Sequence, residues 1–242
     1  MRGLTRESRH WGDFVGQFQH ALLARQVVTL DFAGNGQLNH LVSPCQVNEM
    51  VEQCRAQLAS RCIDPPYHLL ALSLGGMVAV AWEQAYPKEV EAQVLINTSM
   101  RPFSPFYQRL KPANYATLLK LIFFDAGPDQ WESAILSMTS QRKEISVLPR
   151  WLAVRMSKPV SKFNAFRQLW AAAQFIAPPA ALCVPTLLMA SEHDNLVSVE
   201  CSKSMARHWQ CALQVHATAG HDLPLDDGGW VIQHVQKWLS AS

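Results

Sequence analysis

Five short apolar runs recur along the chain, and segments with helical patterning separate them. The runs lie at 26–32 (QVVTLDF), 67–73 (YHLLALS), 91–98 (EAQVLINT), 184–191 (VPTLLMAS) and 213–218 (LQVHAT). They are mostly apolar on both faces, which is typical of parallel strands that helices cover on each side. Alternation of such strands with helices predicts an α/β fold with right-handed crossovers and a mostly parallel sheet.

The intervening segments predict helices near 11–25, 47–60, 74–86, 200–209 and 229–239. One interval breaks the alternation, because no strand pattern stands out between residues 99 and 182. Four amphipathic stretches follow one another there, at 113–124, 129–140, 148–157 and 162–175. The pattern therefore predicts a helical lid, residues 99–182, inserted into a core formed by residues 1–98 and 183–242.

Composition agrees with a globular protein. The 242 residues are 49% hydrophobic, enough for a sizeable core and unlike a disordered chain. The longest nearly uncharged apolar stretch, 69–82, is too short to span a bilayer, and the amino terminus has no apolar export signal. Six cysteines without a CxxC pair or a His/Cys cluster predict reduced thiols in a cytoplasmic protein, rather than disulfides or a zinc site.

The predicted lid is basic. Residues 99–182 contain 11 Lys and Arg against four Asp and Glu, whereas the whole chain has a net charge of +2. Two interpretations stay open at this point. Exposed helices often carry lysine and arginine without further meaning, and a basic lid would also suit an acidic substrate or partner.

Ser73 lies where the run at 67–73 meets the next predicted helix. Ala71 and Gly75, two residues before and two after it, are small, as a sharp strand-to-helix turn requires. Such a turn projects the hydroxyl beyond the carboxyl end of the sheet, next to the N–H groups that begin the helix. The small-x-Ser-x-Gly pattern is common by chance, but its strand–turn–helix setting makes Ser73 a candidate nucleophile.

A serine needs a base to accept its proton. Among nine histidines, His221 alone follows the last predicted strand in a loop before the final helix, where the carboxyl edge of a parallel sheet forms sites. Asp194 follows the penultimate strand and is placed to orient that histidine. Glu192 and Asp222 are rival acids. The order Ser73, Asp194, His221, each after a separate strand, predicts a catalytic triad.

These features resemble the α/β-hydrolase superfamily over nearly the whole chain. The matching stretches are ALSLGG (71–76), LDFAGNGQ (30–37), ASEHDNLV (190–197) and AGHDLPLDD (219–227). Within that superfamily, the chain most resembles the small esterases typified by the pimeloyl-carrier-protein methyl ester esterase, with the menaquinone-pathway lyase a near neighbour. The resemblance implies a serine hydrolase that cleaves a carboxylic ester or thioester through an acyl-enzyme, with no metal and no organic cofactor. A carbon–carbon hydrolase, a lyase on the same triad and a non-catalytic relative stay open as alternatives.

The resemblance also implies an oxyanion hole formed by the backbone N–H groups of Leu4 and Leu74. Arg2-Gly3 stands where family members usually have His-Gly, so Leu4 takes the donor position. Relatives carry further strands before this turn. The resemblance therefore implies that N-terminal strands are missing here, either lost from the sequence or absent from a shortened sheet.

The lid supplies the remaining candidates. Phe103, Phe106 and Tyr107 are expected to line the substrate site, although packing within the lid would explain them equally well. Its basic residues are expected to meet an acyl carrier protein or coenzyme A, both of which are acidic. The expected substrate is a small-molecule acyl ester or thioester, with no nucleic-acid partner and no membrane span.

Overall fold

Among the residues that the structure describes, four parallel strands form the central sheet, in the spatial order β1–β2–β3–β4. They are Tyr67–Leu72 (β1), Val90–Ile96 (β2), Thr186–Ser191 (β3) and Ala212–His216 (β4). The structure, a computed structural model, describes residues 1–23, 26–124, 126–142, 145–180 and 182–241, without the side chains at 122, 123 and 145. Each of these strands overlaps one of the predicted apolar runs.

Helices cover both faces of this sheet and fill the interval between β2 and β3. The α-helices of the described residues are Phe14–Ala21 (α1), Val47–Ser60 (α2), Leu74–Ala85 (α3), Phe106–Arg109 (α4), Tyr115–Phe123 (α5), Pro128–Thr139 (α6), Leu148–Ser157 (α7), Lys162–Gln174 (α8), Val199–Trp209 (α9) and Leu223–Leu239 (α10, kinked at Asp227). Helices α4 to α8 lie within 99–182. That this interval acts as a separate lid stays a prediction.

The two inner strands are buried on both faces, which explains why they read as continuous apolar runs. Leu95 of β2 and Leu188 of β3 pack in one core cluster with residues of α2 and α3. On the opposite face, Val94 and Met189 pack with residues of α1 and α10. The sheet is therefore held between two helical layers, and its carboxyl edge is left for the loops that follow β1, β2 and β3.

Residues 26–32 do not form a strand, contrary to the prediction from their pattern. The backbone position beside β1 is taken by Met1, whose nitrogen donates to Leu70 O (2.8 Å) and whose carbonyl accepts from Leu72 N (3.0 Å). A cavity of about 730 Å³ with mostly apolar walls is lined by both 26–30 and 66–70. The apolar run reaches the core through Leu30 and Phe32, but no strand within the described part of the chain lies beside its backbone to form a ladder.

The stretch 30–37 forms a tight loop around the carboxylate of Asp31. Asp31 Oδ1 accepts from the N–H of Ser8 (2.7 Å), and Oδ2 accepts from the N–H of Gln37 (3.2 Å). Gly36 has a φ of +52°, and a Cβ atom there would lie 2.1 Å from Asp31 Oδ2. Only glycine fits this position, so the loop ties the segment that follows Leu4 to the core.

Three further findings concern the cysteines, possible membrane spans and possible metal sites. All six cysteines are free thiols. Within the ranges given above, no helix combines the length and the apolar character needed to cross a bilayer. The same residues contain no group of three or more His, Cys, Asp or Glu side chains that could hold a metal ion.

Candidate active site

Ser73 lies in a strained turn between β1 and α3. Its φ is +57° and its ψ is −116°, a conformation that L-residues rarely adopt. The turn is packed closely against the amino-terminal segment: a Cβ atom on Gly75 would lie 2.8 Å from Met1 O and 2.9 Å from Arg2 O. Gly75 must therefore lack a side chain, because the backbone of Met1 and Arg2 lies against it. The same contact brings residues 1–4 next to Ser73.

His221 and Asp194 meet beyond the ends of the strands. His221 Nδ1 lies 2.7 Å from Asp194 Oδ2, and both side chains are buried. Asp194 Oδ1 accepts from the N–H groups of Leu196 (2.7 Å) and Val197 (2.9 Å), which fixes the carboxylate. A carboxylate can only accept, so Nδ1 carries the proton and Nε2 is the basic nitrogen of the neutral ring.

The histidine loop is also held by its backbone. Asn97, immediately after β2, donates from Nδ2 to the carbonyl of His221 (2.8 Å) and to that of Gly220 (3.2 Å). Asn97 Oδ1 accepts from the N–H of Ser191 at the end of β3. One amide side chain thus links the ends of two strands to the loop that carries the histidine.

Ser73 and His221 line one pocket of about 80 Å³, together with Leu4. The backbone N–H groups of Leu4 and Leu74 have no acceptor within the described chain. By contrast, the two residues after Leu4 do have acceptors: Thr5 N–H donates to Gln168, and Arg6 N–H donates to Gly3. Two unpaired N–H groups near a serine hydroxyl are the usual elements of an oxyanion hole. Three of the predicted residues, Ser73, His221 and Leu4, therefore line one small space, and Leu74 follows Ser73 directly in the chain.

The two rival acids are occupied elsewhere. Asp222 receives two hydrogen bonds from Arg2, Nη1 to Oδ1 at 2.9 Å and Nη2 to Oδ2 at 2.5 Å, and this ion pair is buried. The Glu192 side chain is about half exposed, and its Oε1 lies 3.8 Å from Lys203 Nζ. Of the three carboxylates considered from the sequence, Asp194 is the one in contact with His221.

One supporting residue was not found from the sequence. Asp226, on α10, accepts from Gly220 N (2.6 Å) and Gln141 N (3.0 Å) with Oδ2, and from the Ser140 hydroxyl (2.5 Å) with Oδ1. It therefore joins the histidine loop to the residues that follow α6. The stretch 219–227 contained this aspartate, but no spacing indicated its partners some 85 residues earlier in the chain.

The predicted aromatic substrate residues do not line this pocket. Phe103 packs against the rings of His208 (4.7 Å) and Trp209 (5.0 Å), and Phe106 and Tyr107 are exposed. Aliphatic side chains form most of the walls instead: Leu72, Leu110, Leu118, Ile135, Met138, Leu169 and Leu196. The amphipathic pattern indicated that the lid helices have apolar faces, but which apolar side chains reach the serine depends on how those helices pack.

His10 lies close to this region and must be neutral in the folded protein. Arg6 Nη1 lies 2.9 Å from His10 Nε2, and arginine can only donate, so Nε2 accepts. Nδ1 lies against the backbone of Glu7, 3.1 Å from its N and 3.3 Å from its O. Burial, and then the charges of Arg6 and Arg2, lower the pKa of His10 well below the usual histidine value.

We expect this lowered pKa to make the protein less stable in mild acid. An unfolded His10 binds a proton below about pH 6.5, whereas the folded one does not, so stability is lost as the pH falls below that value, by up to about 1.4 kcal/mol per pH unit. Denaturant unfolding of the protein and of His10→Gln between pH 7.5 and 5 measures this contribution. The exposed His40→Gln variant is the control. Parallel profiles for the protein and His10→Gln would contradict the expectation.

Comparison with known proteins places these features in a family. The family model described as "Alpha/beta hydrolase family" matches residues 2–234. Among curated proteins, YbdG of Bacillus subtilis (strain 168) is 29% identical over 75 residues, which is 31% of this chain and only 23% of that protein's length.

Three solved structures show the same fold at low sequence identity. An esterase from Thermogutta terrifontis, solved with malate bound, has a TM-score of 0.76 at 21% identity, covering 99% of this chain and 88% of its own. The meta-cleavage product hydrolase CumD from Pseudomonas fluorescens IP01 scores 0.78 at 14% identity over the same shares. A hydrolase from Pseudomonas aeruginosa PA01 scores 0.77 at 19% identity, again over 99% and 88%. Because the family model covers nearly all of its length, the chain belongs to the alpha/beta hydrolase family.

Proposed function

We propose that the protein is a serine hydrolase that cleaves short-chain carboxylic esters or thioesters through an acyl-enzyme. One observation carries the proposal: Ser73 and His221 line the same small pocket, and His221 is hydrogen-bonded through Nδ1 to the buried carboxylate of Asp194. This leaves His221 Nε2 to accept the proton of the serine hydroxyl, the role that the base has in acyl transfer.

In the proposed reaction, Ser73 Oγ attacks the carbonyl carbon while His221 Nε2 accepts the hydroxyl proton. The negative charge that develops on the carbonyl oxygen is stabilised by the N–H groups of Leu4 and Leu74. The bond to the alcohol or thiol then breaks, and His221 returns the proton to that leaving group. Water, deprotonated by the same nitrogen, attacks the acyl-enzyme and releases the acid and Ser73.

The small pocket supports short acyl groups. Its volume of about 80 Å³ is bordered mainly by aliphatic side chains, most of them from β1 and the lid interval. A long acyl chain would have to displace these walls, whereas an acyl group of a few carbon atoms would not.

That an acidic carrier binds at the lid also stays a proposal. Three basic residues of the lid interval already have partners, because Arg109, Lys111 and Arg167 donate to backbone carbonyls within the protein. Lys143 lies outside the described residues.

A fluorophosphonate probe followed by a panel of p-nitrophenyl esters tests this function. The probe forms a bond from serine oxygen to phosphorus and releases fluoride, which requires an activated serine. We expect one adduct, mapped to Ser73 by peptide mass spectrometry and absent from Ser73→Ala. We also expect faster hydrolysis of acetate to butyrate esters than of the octanoate.

Three other outcomes would contradict the proposal in different ways. An adduct on another residue would show that the site is wrongly assigned. A folded protein that takes up no probe would favour a non-catalytic relative. Labelling of Ser73 without hydrolysis of any ester or thioester would favour carbon–carbon bond cleavage by the same residues.

A further inference from the structure

Arg6 is a buried cation on the wall of the candidate active site. It lines the same pocket as Ser73 and His221, although only 6% of its surface is exposed. It follows Leu4, the proposed oxyanion donor, by two residues. Ser73, His221 and Arg6 therefore line one small and otherwise mostly aliphatic space, in which a cation has little contact with water.

The protein satisfies this guanidinium only in part. Nη1 donates to Glu132 Oε2 (2.5 Å), and the guanidinium carbon lies 4.1 Å from the centre of the Trp151 ring. Nη2 is buried and has no hydrogen-bond partner among the described residues. A buried charged group with unmade hydrogen bonds is costly, and such donors are normally satisfied by a protein group, water or a ligand.

The charge on Arg6 is also incompletely balanced. Its partner Glu132 is shared with Arg155, whose Nη1 lies 3.3 Å from Glu132 Oε1, so one carboxylate serves two guanidinium groups. Burial lowers the pKa of Arg6, and the charge of Glu132 opposes that effect. The other arginine of the pocket, Arg2, differs because both of its terminal nitrogens are bonded to Asp222.

We infer that Arg6 Nη2 binds a carboxylate at the far end of the acyl group, so that the preferred substrates are short hemiesters of dicarboxylic acids. This inference rests on the proposed function and names its substrate class. A carboxylate supplies the acceptor that Nη2 lacks and the negative charge that the Arg6–Glu132–Arg155 cluster lacks. The aliphatic walls contact the methylene groups between the two ends. A volume of about 80 Å³ favours a short spacer between the ester and the carboxylate.

Binding to the Ser73→Ala variant tests this inference without requiring turnover. The probes are the monoethyl esters of malonic, succinic and glutaric acid, each compared with the analogue in which a neutral carboxamide replaces the carboxylate. We expect the best hemiester to bind about 10–100-fold more tightly than its carboxamide, as a charge-assisted hydrogen bond in a buried site allows. This comparison needs no change at Arg6, so it stands even if Arg6 variants fold poorly.

Two additional variants in the same background assign the effect to Arg6. Arg6→Met is expected to reduce the preference for the carboxylate by about 10-fold or more. Arg155→Met removes the other partner of Glu132 but does not line the pocket. It is expected to reduce that preference less than Arg6→Met does, because the donor Nη2 of Arg6 stays while Glu132 then balances Arg6 alone.

Three results would overturn the inference. They are equal or undetectable binding of every hemiester and its carboxamide, a preference that survives Arg6→Met, or equal losses in Arg6→Met and Arg155→Met. None of these results bears on whether fluorophosphonate labels Ser73, so failure of this inference and failure of the proposed function are separate outcomes. In the active protein, the ratio of kcat/KM for hemiester and carboxamide substrates should follow the same order across the variants.

Discussion

Replacing Asp194 with asparagine is expected to lower kcat/KM for p-nitrophenyl acetate by about 10⁴-fold at neutral pH. The reason lies in the contacts of the carboxylate. Oδ1 accepts from the N–H groups of Leu196 and Val197, and an asparagine would keep its carbonyl oxygen there. Its NH₂ group would then face His221 Nδ1, which would have to accept. The ring proton would move to Nε2, the nitrogen that must take the proton of Ser73.

Glu192→Gln is the matched control, because Glu192 lies two residues earlier in the same loop and pairs with Lys203 on the surface. It is expected to retain kcat/KM within about twofold, in line with the small effects of exposed ion pairs. Unfolding measurements on both variants establish that each is folded under the assay conditions. Comparable rates for Asp194→Asn and the unaltered protein would remove Asp194 from the proposed mechanism.

The predictable parts of the fold are those in which local pattern and tertiary environment agree. Helix α2 begins and ends where the pattern placed it, at Val47 and Ser60, and β2 and β3 are apolar on both faces because helices cover both sides. The run at 26–32 has the same apolar character, but no strand lies beside it in the residues that the structure describes. Pairing is a property of two segments, so a single run cannot reveal whether its partner is present.

The candidate site likewise has a part that the sequence predicted and a part that depends on tertiary contacts. Ser73, Asp194 and His221 each follow a strand, and parallel strands bring such positions to one edge, so chain order was sufficient to group them. Arg2 and Asp222 are separated by 220 residues and do not both follow strands of the sheet, so nothing local indicated that they pair. The pocket walls depend in the same way on how α5, α6 and α8 pack over the serine.

Breaking the Arg2–Asp222 pair is expected to have the largest effect on stability. The side chains are 2% and 4% exposed, and both terminal nitrogens of Arg2 bind the carboxylate. Removing one partner of a buried pair leaves the other charge uncompensated, which typically costs about 3–5 kcal/mol. We therefore expect Asp222→Asn to lower the free energy of unfolding by that amount, as measured by denaturant titration at pH 7.5.

Asp13→Asn is the control for this experiment, since Asp13 pairs with Arg150 at 3.7 Å on the surface and should contribute less than about 1 kcal/mol. The double variant Arg2→Met/Asp222→Leu removes both buried charges and is expected to be more stable than Asp222→Asn, because no unpaired charge remains. If Asp222→Asn costs no more than Asp13→Asn, the pair does not hold the fold together.

The same pair also connects the two halves of the candidate site. Arg2 precedes the Gly3–Leu4 segment that carries one proposed oxyanion donor, and Asp222 follows His221 directly. We expect the double variant to regain stability but to hydrolyse p-nitrophenyl acetate at least 10-fold more slowly than the unaltered protein. That result would separate the role of the pair in stability from its role in positioning the candidate site. The loss of rate would then reflect the placement of Leu4 and His221, since loss of one oxyanion donor alone typically costs about 10²–10³ in kcat.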